Sequence, residues 1–105
     1  MASRSELIDI ARNAKTIEWL KAELIGGVSA LFKAMLKNHE EAITDSLANI
    51  VVACYLLGKR MGITFSRLDI KIENKVAVNI TKGHEIEQWY GDFTALSNYL
   101  EGKVM

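Results

Sequence analysis

Apolar residues recur at helical spacing through the first third of the chain. Steps of three or four residues separate the members of this row, which are Ile17, Leu20, Leu24, Val28, Leu31 and Met35. Such steps place side chains on one face of an α-helix, so the row predicts an amphipathic first helix. Residues 5–13 have an apolar set of their own, and the pattern leaves open whether they form a short separate helix or the first turns of this one.

Two adjacent glycines, Gly26 and Gly27, fall inside this predicted helix. Each glycine costs about 1 kcal/mol relative to alanine in a helix interior. We therefore expect a structural reason for the pair, either a close crossing by another helix or a kink.

A second helix is predicted to begin after Asn38. Asn38 and Glu41 have the spacing of an N-cap residue and a carboxylate that reaches back to it. Gly62 stands where a glycine commonly ends a helix. Residues 50–57 are apolar on every side, which is typical of a helix buried among several others. In so short a chain a partner subunit can supply some of those helices, so we expect a homodimer or homotetramer.

Residues 67–80 fit two structures equally well by periodicity. Ser66 and Asp69 have capping-box spacing, which favours a helix beginning near Arg67. Apolar residues also alternate with mostly polar ones on both sides of residues 73–75, which favours a β-hairpin. Further on, Gly91 and Asp92 mark a break before a last helix over residues 94–101.

Composition narrows the fold class. Proline averages about 5% of a chain and is excluded chiefly from helix interiors, yet none occurs in these 105 residues. We predict an all-α fold, an antiparallel bundle of four to five helices completed by oligomerisation. The length suits one domain, residues 1–105.

Charge and cysteine content exclude several classes of function. Thirteen basic residues balance thirteen acidic ones, so the chain lacks the positive field of a general nucleic-acid binder. A single cysteine, Cys54, and an N-terminus without signal-peptide order predict a cytoplasmic location. The most apolar run, residues 47–57, is shorter than the roughly 18–20 residues that cross a bilayer, so we expect no membrane segment.

Carboxylates on helices are the remaining candidates for chemistry, since the chain has no glycine-rich phosphate loop and no zinc-type Cys or His cluster. Glu41 and Asp45 are one helical turn apart and therefore share a face. Acids from two facing helices can hold Mg²⁺, which prefers oxygen ligands. The alternative is a solvated acidic turn that complements the helix dipole.

The order of these features resembles the MazG-like, all-α nucleotide pyrophosphohydrolases. Residues 22–24 and 31–37 look like the first metal-bearing helix of that family, and residues 41–48 and 57–63 look like its second. Residues 72–79 are similar to a lysine- and asparagine-bearing region on the next helix. The tail, residues 84–100, looks like a small MazG-like subgroup. The resemblance implies a MazG-like bundle and favours helix over hairpin for residues 67–80.

The resemblance also implies a metal site, from which this chain departs. Active family members hold Mg²⁺ with E-x-x-E on the first helix and E-x-x-D on the second. These motifs fall here on residues 27–30 and 42–45, where Asp45 is the one acid that matches. Glu41 is next to one missing acid and Glu23 is one turn before another, so both are candidate helpers of Asp45. We expect Asp45 to face the double glycine if the two helices are antiparallel.

By the same resemblance, Lys75 and Asn79 are candidate contacts to the phosphate or ribose of a nucleoside triphosphate. No catalytic residue is assigned. Two hypotheses follow: a nucleotide pyrophosphohydrolase with an altered Mg²⁺ site, in which a metal-activated water attacks a phosphoryl group, or a non-catalytic helical oligomer used for nucleotide sensing or protein contacts. An unrelated helical interaction module is the third possibility.

Overall fold

A computed structural model describes residues 2–102, and all regular structure in that range is helical. The five helices are α1 (Arg4–Leu36), α2 (Glu40–Arg60), α3 (Phe65–Lys82), α4 (Glu85–Tyr90) and α5 (Asp92–Gly102). The predicted all-α class is confirmed. The chain divides into two compact units, the first ending at Phe65 and the second beginning at Ser66. The prediction of a single domain stays a prediction.

In the first unit, α1 and α2 pack as an antiparallel pair. The residues 5–13 belong to α1, so one long helix forms there, capped by the Ser3 hydroxyl, which accepts a hydrogen bond from the Glu6 N–H. Toward the same end of the pair, the Asn13 side chain donates to the Arg60 carbonyl at 3.1 Å. This bond ties the first turns of α1 to the last residue of α2.

The face of α1 that meets α2 differs in part from the predicted apolar row. Its less exposed residues recur in alternating steps of four and three, at Asn13, Ile17, Leu20, Leu24, Gly27, Leu31 and Ala34. This is the spacing of helices packed along a coiled-coil seam. Val28 is 37% exposed and Met35 56% exposed, so the prediction that these two residues belong to the packed face of α1 was wrong. Gly27 and Ala34 take those places because small side chains let the two helices approach closely.

The double glycine has one packed and one open member. A Cβ added at Gly27 would lie 3.0 Å from Cγ1 of Ile50, whereas a Cβ at Gly26 would have nothing within 4 Å. The predicted close crossing is therefore confirmed for Gly27, against the Ile50 side chain of α2. No described residue accounts for Gly26.

The connection between α1 and α2 corrects the predicted cap. Asn38 adopts a left-handed conformation with φ of 51° and ends α1, a conformation that asparagine tolerates better than most residues. The His39 N–H donates to the Ala34 carbonyl, and the Asn38 N–H to the Met35 carbonyl, both at 3.1 Å. His39, not Asn38, is the N-cap residue of α2, and its side chain makes no capping bond.

The other end of α2 follows the sequence prediction. Gly62 has φ of 87°, and the Ile63 N–H donates to the Gly58 carbonyl at 2.9 Å. These are the features of a glycine-terminated helix. Within residues 2–102, α2 is the one helix that is long and apolar enough to cross a bilayer, by length and composition only. Helices in the cores of water-soluble proteins also meet those criteria, so the predicted absence of a membrane segment stays a prediction.

In the second unit, α3 settles the choice between helix and hairpin. Residues 67–80 lie inside one continuous helix, as the resemblance implies, so the hairpin alternative was wrong. The helix begins at Phe65, which places Ser66 in its first turn and not before it. The side-chain amide of Asn79 donates to the Lys75 carbonyl at 2.9 Å, within the same helix.

Helices α4 and α5 are joined through interactions at their ends. The break at Gly91 is confirmed, with φ of 67°. The Glu87 carboxylate accepts hydrogen bonds from the hydroxyl and, at 3.0 Å, from the N–H of Thr94. These two bonds hold the pKa of Glu87 below its ordinary value. The His84 ring caps α4 by accepting from the Ile86 N–H and stacks edge-on against Phe93.

Candidate functional site

A groove lies between α1 and α2 near the connection that joins them. Its volume is about 320 Å³. The last turns of α1 and the first turns of α2 supply its lining, which consists of Ala30, Lys33, Ala34, Lys37, His39, Ala42, Asp45 and Ser46. We call this the interhelical groove. It exists because residues four apart on each helix lie on one face, and the antiparallel pairing brings the two faces together.

The structure divides the three predicted metal ligands. Asp45 lines the interhelical groove, whereas Glu41 and Glu23 are exposed and do not line it. Asp45 shares the groove with Ala30 and Ala34. The expectation that Asp45 faces the double glycine was wrong, because Gly27 contacts Ile50, which follows Asp45 by more than one turn.

Three of the four positions implied by the family resemblance meet in this groove. They are Ala30 from the first motif and Ala42 and Asp45 from the second. Two of these three positions carry methyl groups where the resemblance implies carboxylates.

The residues of the groove do not fit a magnesium ion. Among residues 2–102, no group of three or more His, Cys, Asp or Glu side chains is placed to hold a metal. Mg²⁺ releases its waters reluctantly and is bound through carboxylates together with substrate phosphates. With Asp45 as its one carboxylate, the groove offers too few anionic oxygens.

Positive charge replaces the missing acids. Lys33 and Lys37 are one helical turn apart on the groove, and neither forms an ion pair with a described residue. His39 adds an imidazole. With Asp45 as the one acid in the lining, the formal charge of the groove at neutral pH is positive even when His39 is neutral.

Ser46 is the buried polar residue of the groove. It is 6% exposed, and its hydroxyl makes no hydrogen bond to any described residue. No fully buried side-chain oxygen in residues 2–102 lacks a partner. The small exposed part of Ser46 must therefore include its hydroxyl oxygen, which opens into the groove.

The predicted substrate contacts lie in the second unit. Lys75 is exposed and Asn79 half-buried on α3. A second groove, of about 520 Å³, lies between α3 and α5. It is lined by Glu73, Asn74, Ala77, Ser97, Leu100 and Glu101. Lys75 and Asn79 are not among these residues, although Glu73 and Asn74 come from the same stretch of sequence.

The lysines and the serine of the interhelical groove are not among the site residues predicted from the sequence. A signal was available: Lys33 and Lys37 have i, i+4 spacing, and Lys33 follows the motif position Ala30 by three residues. Both lysines therefore share a helix face with that position.

Comparison with known proteins identifies the family. The model of the MazG-like family matches residues 10–93, which include α1 from its second turn, all of α2, α3 and α4, and the start of α5. No curated protein and no solved structure matches the chain. The match covers far more than half of the chain. The chain belongs to the MazG-like family.

Proposed function

We propose that this chain is a non-catalytic member of the MazG-like family, which assembles with copies of itself and binds nucleotide without hydrolysing it. The observation that carries the proposal is that no group of three or more His, Cys, Asp or Glu side chains within residues 2–102 is placed to hold a metal ion. Hydrolysis in the active members depends on Mg²⁺, and the groove here holds one carboxylate among cationic and methyl groups. A protein that keeps the helix pair but lacks the metal-binding carboxylates is suited to binding a nucleotide without hydrolysing it.

Calorimetric titration with Mg²⁺ and a panel of nucleoside triphosphates, combined with an assay of pyrophosphate release, tests this proposal. We expect negligible binding of Mg²⁺ alone and nucleotide binding without turnover. Metal-dependent pyrophosphate release by the wild-type chain would overturn the proposal.

A gain-of-function variant tests the position of the lost site. Ala30→Glu combined with Ala42→Glu places two more carboxylates beside Asp45, and we expect this variant to bind Mg²⁺. The matched control is Ala30→Gln with Ala42→Gln, which adds similar bulk without charge. Equal Mg²⁺ binding by the two variants would show that the groove does not occupy the family's metal position.

A weak Mg²⁺-dependent hydrolase is the second candidate function. The observation that favours it is Asp45, which keeps the register of the family motif and lines the groove. In that case Asp45→Asn abolishes metal-dependent turnover while the helical circular-dichroism spectrum is unchanged. Full turnover by Asp45→Asn would remove the metal role assigned to this residue.

Self-association is supported by the apolar surface of the first unit. Its buried hydrophobic side chains are Leu20, Ala34 and Ala53. On α2, Val51 is 53% exposed and Leu56 41% exposed, and Leu47 and Val52 are exposed as well. Monomeric proteins seldom expose large contiguous apolar surface. A second copy offers a surface of the same kind, so we propose that copies of the chain cover each other through α2.

Sedimentation velocity of Val51→Glu and Leu56→Glu tests this association. We expect both variants to sediment as smaller species than the wild-type chain, because each places a charge in an apolar contact. Asn74→Glu is the matched control, since it adds the same charge at an exposed polar position outside α2, on α3. A wild-type chain that stays monomeric at high micromolar concentration contradicts the proposal, and its binding to lipid vesicles would instead assign α2 to a membrane.

A further inference from the structure

We propose that α1 pairs with the α1 of a second copy of this chain, in antiparallel orientation and about a two-fold axis near Lys21. This contact is separate from the proposed contact through α2 and does not rest on it. The face concerned, which we call the outer row, runs from Leu7 to Met35 in alternating steps of four and three residues. Every residue at these steps is exposed.

The outer row has the spacing of a helix-packing seam. Its steps are those of the row that packs on α2, and they are typical of helices that lie side by side. At about 1.5 Å per residue, the outer row is about 42 Å long. Two of its large apolar members, Ile25 and Phe32, are 72% and 60% exposed. Apolar surface of this extent marks a contact with a partner.

Side-chain size favours an antiparallel partner. The N-terminal half of the outer row contains Ala11 and Ala14, and the C-terminal half has Val28 and Phe32 at matching distances from the middle. In an antiparallel pair the alanines of one copy face the larger side chains of the other, which fills the space between the helices. In a parallel pair alanine would face alanine and leave a gap.

Charge favours the same orientation. The middle of the outer row is polar, with an ion pair of 2.8 Å between Glu18 and Lys21. Lys21 is midway between Leu7 and Met35. A two-fold axis there places each Glu18 beside the Lys21 of the other copy, so that two carboxylates and two ammonium groups neutralise one another. A parallel pair would set like charges opposite each other. Polar groups inside an apolar seam commonly fix the orientation and register of paired helices.

The symmetry of this contact limits the size of the assembly. A two-fold contact uses the same surface on both copies, so it is complete in a dimer. A chain that also pairs through α2 has two different two-fold contacts, which together generate a homotetramer.

Disulfide trapping in full-length chains tests the orientation. One chain carries Ala14→Cys and the other Val28→Cys, each with Cys54→Ser to remove the native thiol. When the two chains are unfolded in urea, refolded together and mildly oxidised, we expect a disulfide-linked dimer, because such a bond needs Cα atoms within about 7 Å. Each chain by itself should give no linked dimer, since its thiols would lie about 21 Å apart along the antiparallel pair.

Lys15→Cys is the matched control for Ala14→Cys. Lys15 is adjacent and exposed, but its side chain points about 100° away from the outer row. Mixed with the Val28→Cys chain, it should give little linked dimer. The inference would be overturned by absence of linked dimer in the first mixture, by equal linking in the control, or by equal linking of either chain alone. Absence of linking together with binding of the wild-type chain to lipid vesicles would instead assign the outer row to a membrane.

Charge reversal tests the two-fold axis. In a chain that carries Val51→Glu in the proposed α2 contact, sedimentation reports association through α1. We expect Lys21→Glu to weaken this association at least about tenfold, because four carboxylates then meet at the axis. Adding Glu18→Lys should restore it, since the exchanged pair again balances two positive and two negative charges. Unchanged association in Lys21→Glu, or no restoration by Glu18→Lys, would contradict the axis. Failure of the α2 contact alone would leave all of these results unchanged.

Discussion

In the first unit, helices of 33 and 21 residues lie side by side along a row with alternating three- and four-residue steps. In the second unit, α4 and α5 have 6 and 11 residues. Hydrogen bonds from Thr94 to Glu87 and an edge-on contact between the His84 and Phe93 rings join their ends. Side-chain packing along this row of residues holds α1 and α2 together. Capping interactions and local hydrogen bonds hold α4 and α5 together.

This difference explains why the recognisable site lies in the first unit. Two long helices in fixed register hold residues from separate parts of the sequence together, as Ala30, Ala42 and Asp45 show. Interactions at helix ends position only residues near those ends. A site that needs groups from two helices therefore depends on the packed pair.

The largest effect on stability is expected at the centre of the packed row. Leu20 is among the least exposed residues, and Leu20→Ala should lower the free energy of unfolding by about 2–5 kcal/mol, because it leaves a cavity between the helices. Urea denaturation at a fixed protein concentration measures this change. Val76→Ala in the second unit, which removes a smaller group from a buried position, should cost about 1–2 kcal/mol. An equal cost at both sites would contradict the comparison.

The two glycines give a matched test of the close crossing. Gly26→Ala should raise the free energy of unfolding by about 0.5–1 kcal/mol, because the added methyl group meets open space and alanine favours helix. Gly27→Val should lower it by about 1–3 kcal/mol, because the added atoms overlap Ile50. Thermal unfolding of both variants measures the difference. A stabilising Gly27→Val would show that the crossing is looser than the structure has it.

The smallest effect is expected at the joint of α4 and α5. Thr94→Val removes the hydroxyl that Glu87 accepts from, so amide hydrogen exchange should increase around this joint and not along the row between α1 and α2. Thr81→Val is the control, since the Thr81 hydroxyl bonds only within α3, to the Ala77 carbonyl. Increased exchange throughout α1 in Thr94→Val would contradict a local role.

The same joint has a pH dependence of known sign. Hydrogen bonds from Thr94 lower the pKa of Glu87, so the ionised carboxylate is favoured in the folded chain. The stabilisation is complete above the pKa of the unfolded chain and is lost as the pH falls through the lower, folded value. Chemical shifts of Thr94, followed from about pH 6 to about pH 3, should show the bonds breaking below the ordinary carboxylate range. Glu87→Gln should remove this titration.

The amino-acid sequence by itself determined the helical class and the breaks at Gly62 and Gly91. The absence of proline, the apolar spacing and the turn residues Gly62 and Gly91 act locally, and the structure agrees with them. The N-terminus of α2 was predicted at the wrong residue, because Asn38 is suited both to capping a helix and to ending one. For residues 67–80 the local pattern fitted a helix and a β-hairpin equally well, and only the family resemblance favoured the helix.

Tertiary structure alone decided which residues of α1 meet α2. Adjacent residues on a helix differ by about 100° in direction, so an apolar row at Val28 and Met35 and a neighbouring row at Gly27 and Ala34 are both compatible with the sequence. The second row forms the contact because its small side chains permit closer packing, and small residues contribute little to a hydrophobic pattern. Only that contact brings Lys33 and Lys37 into the same groove as Asp45. The sequence separation of residues on two different helices does not predict the distance between their side chains.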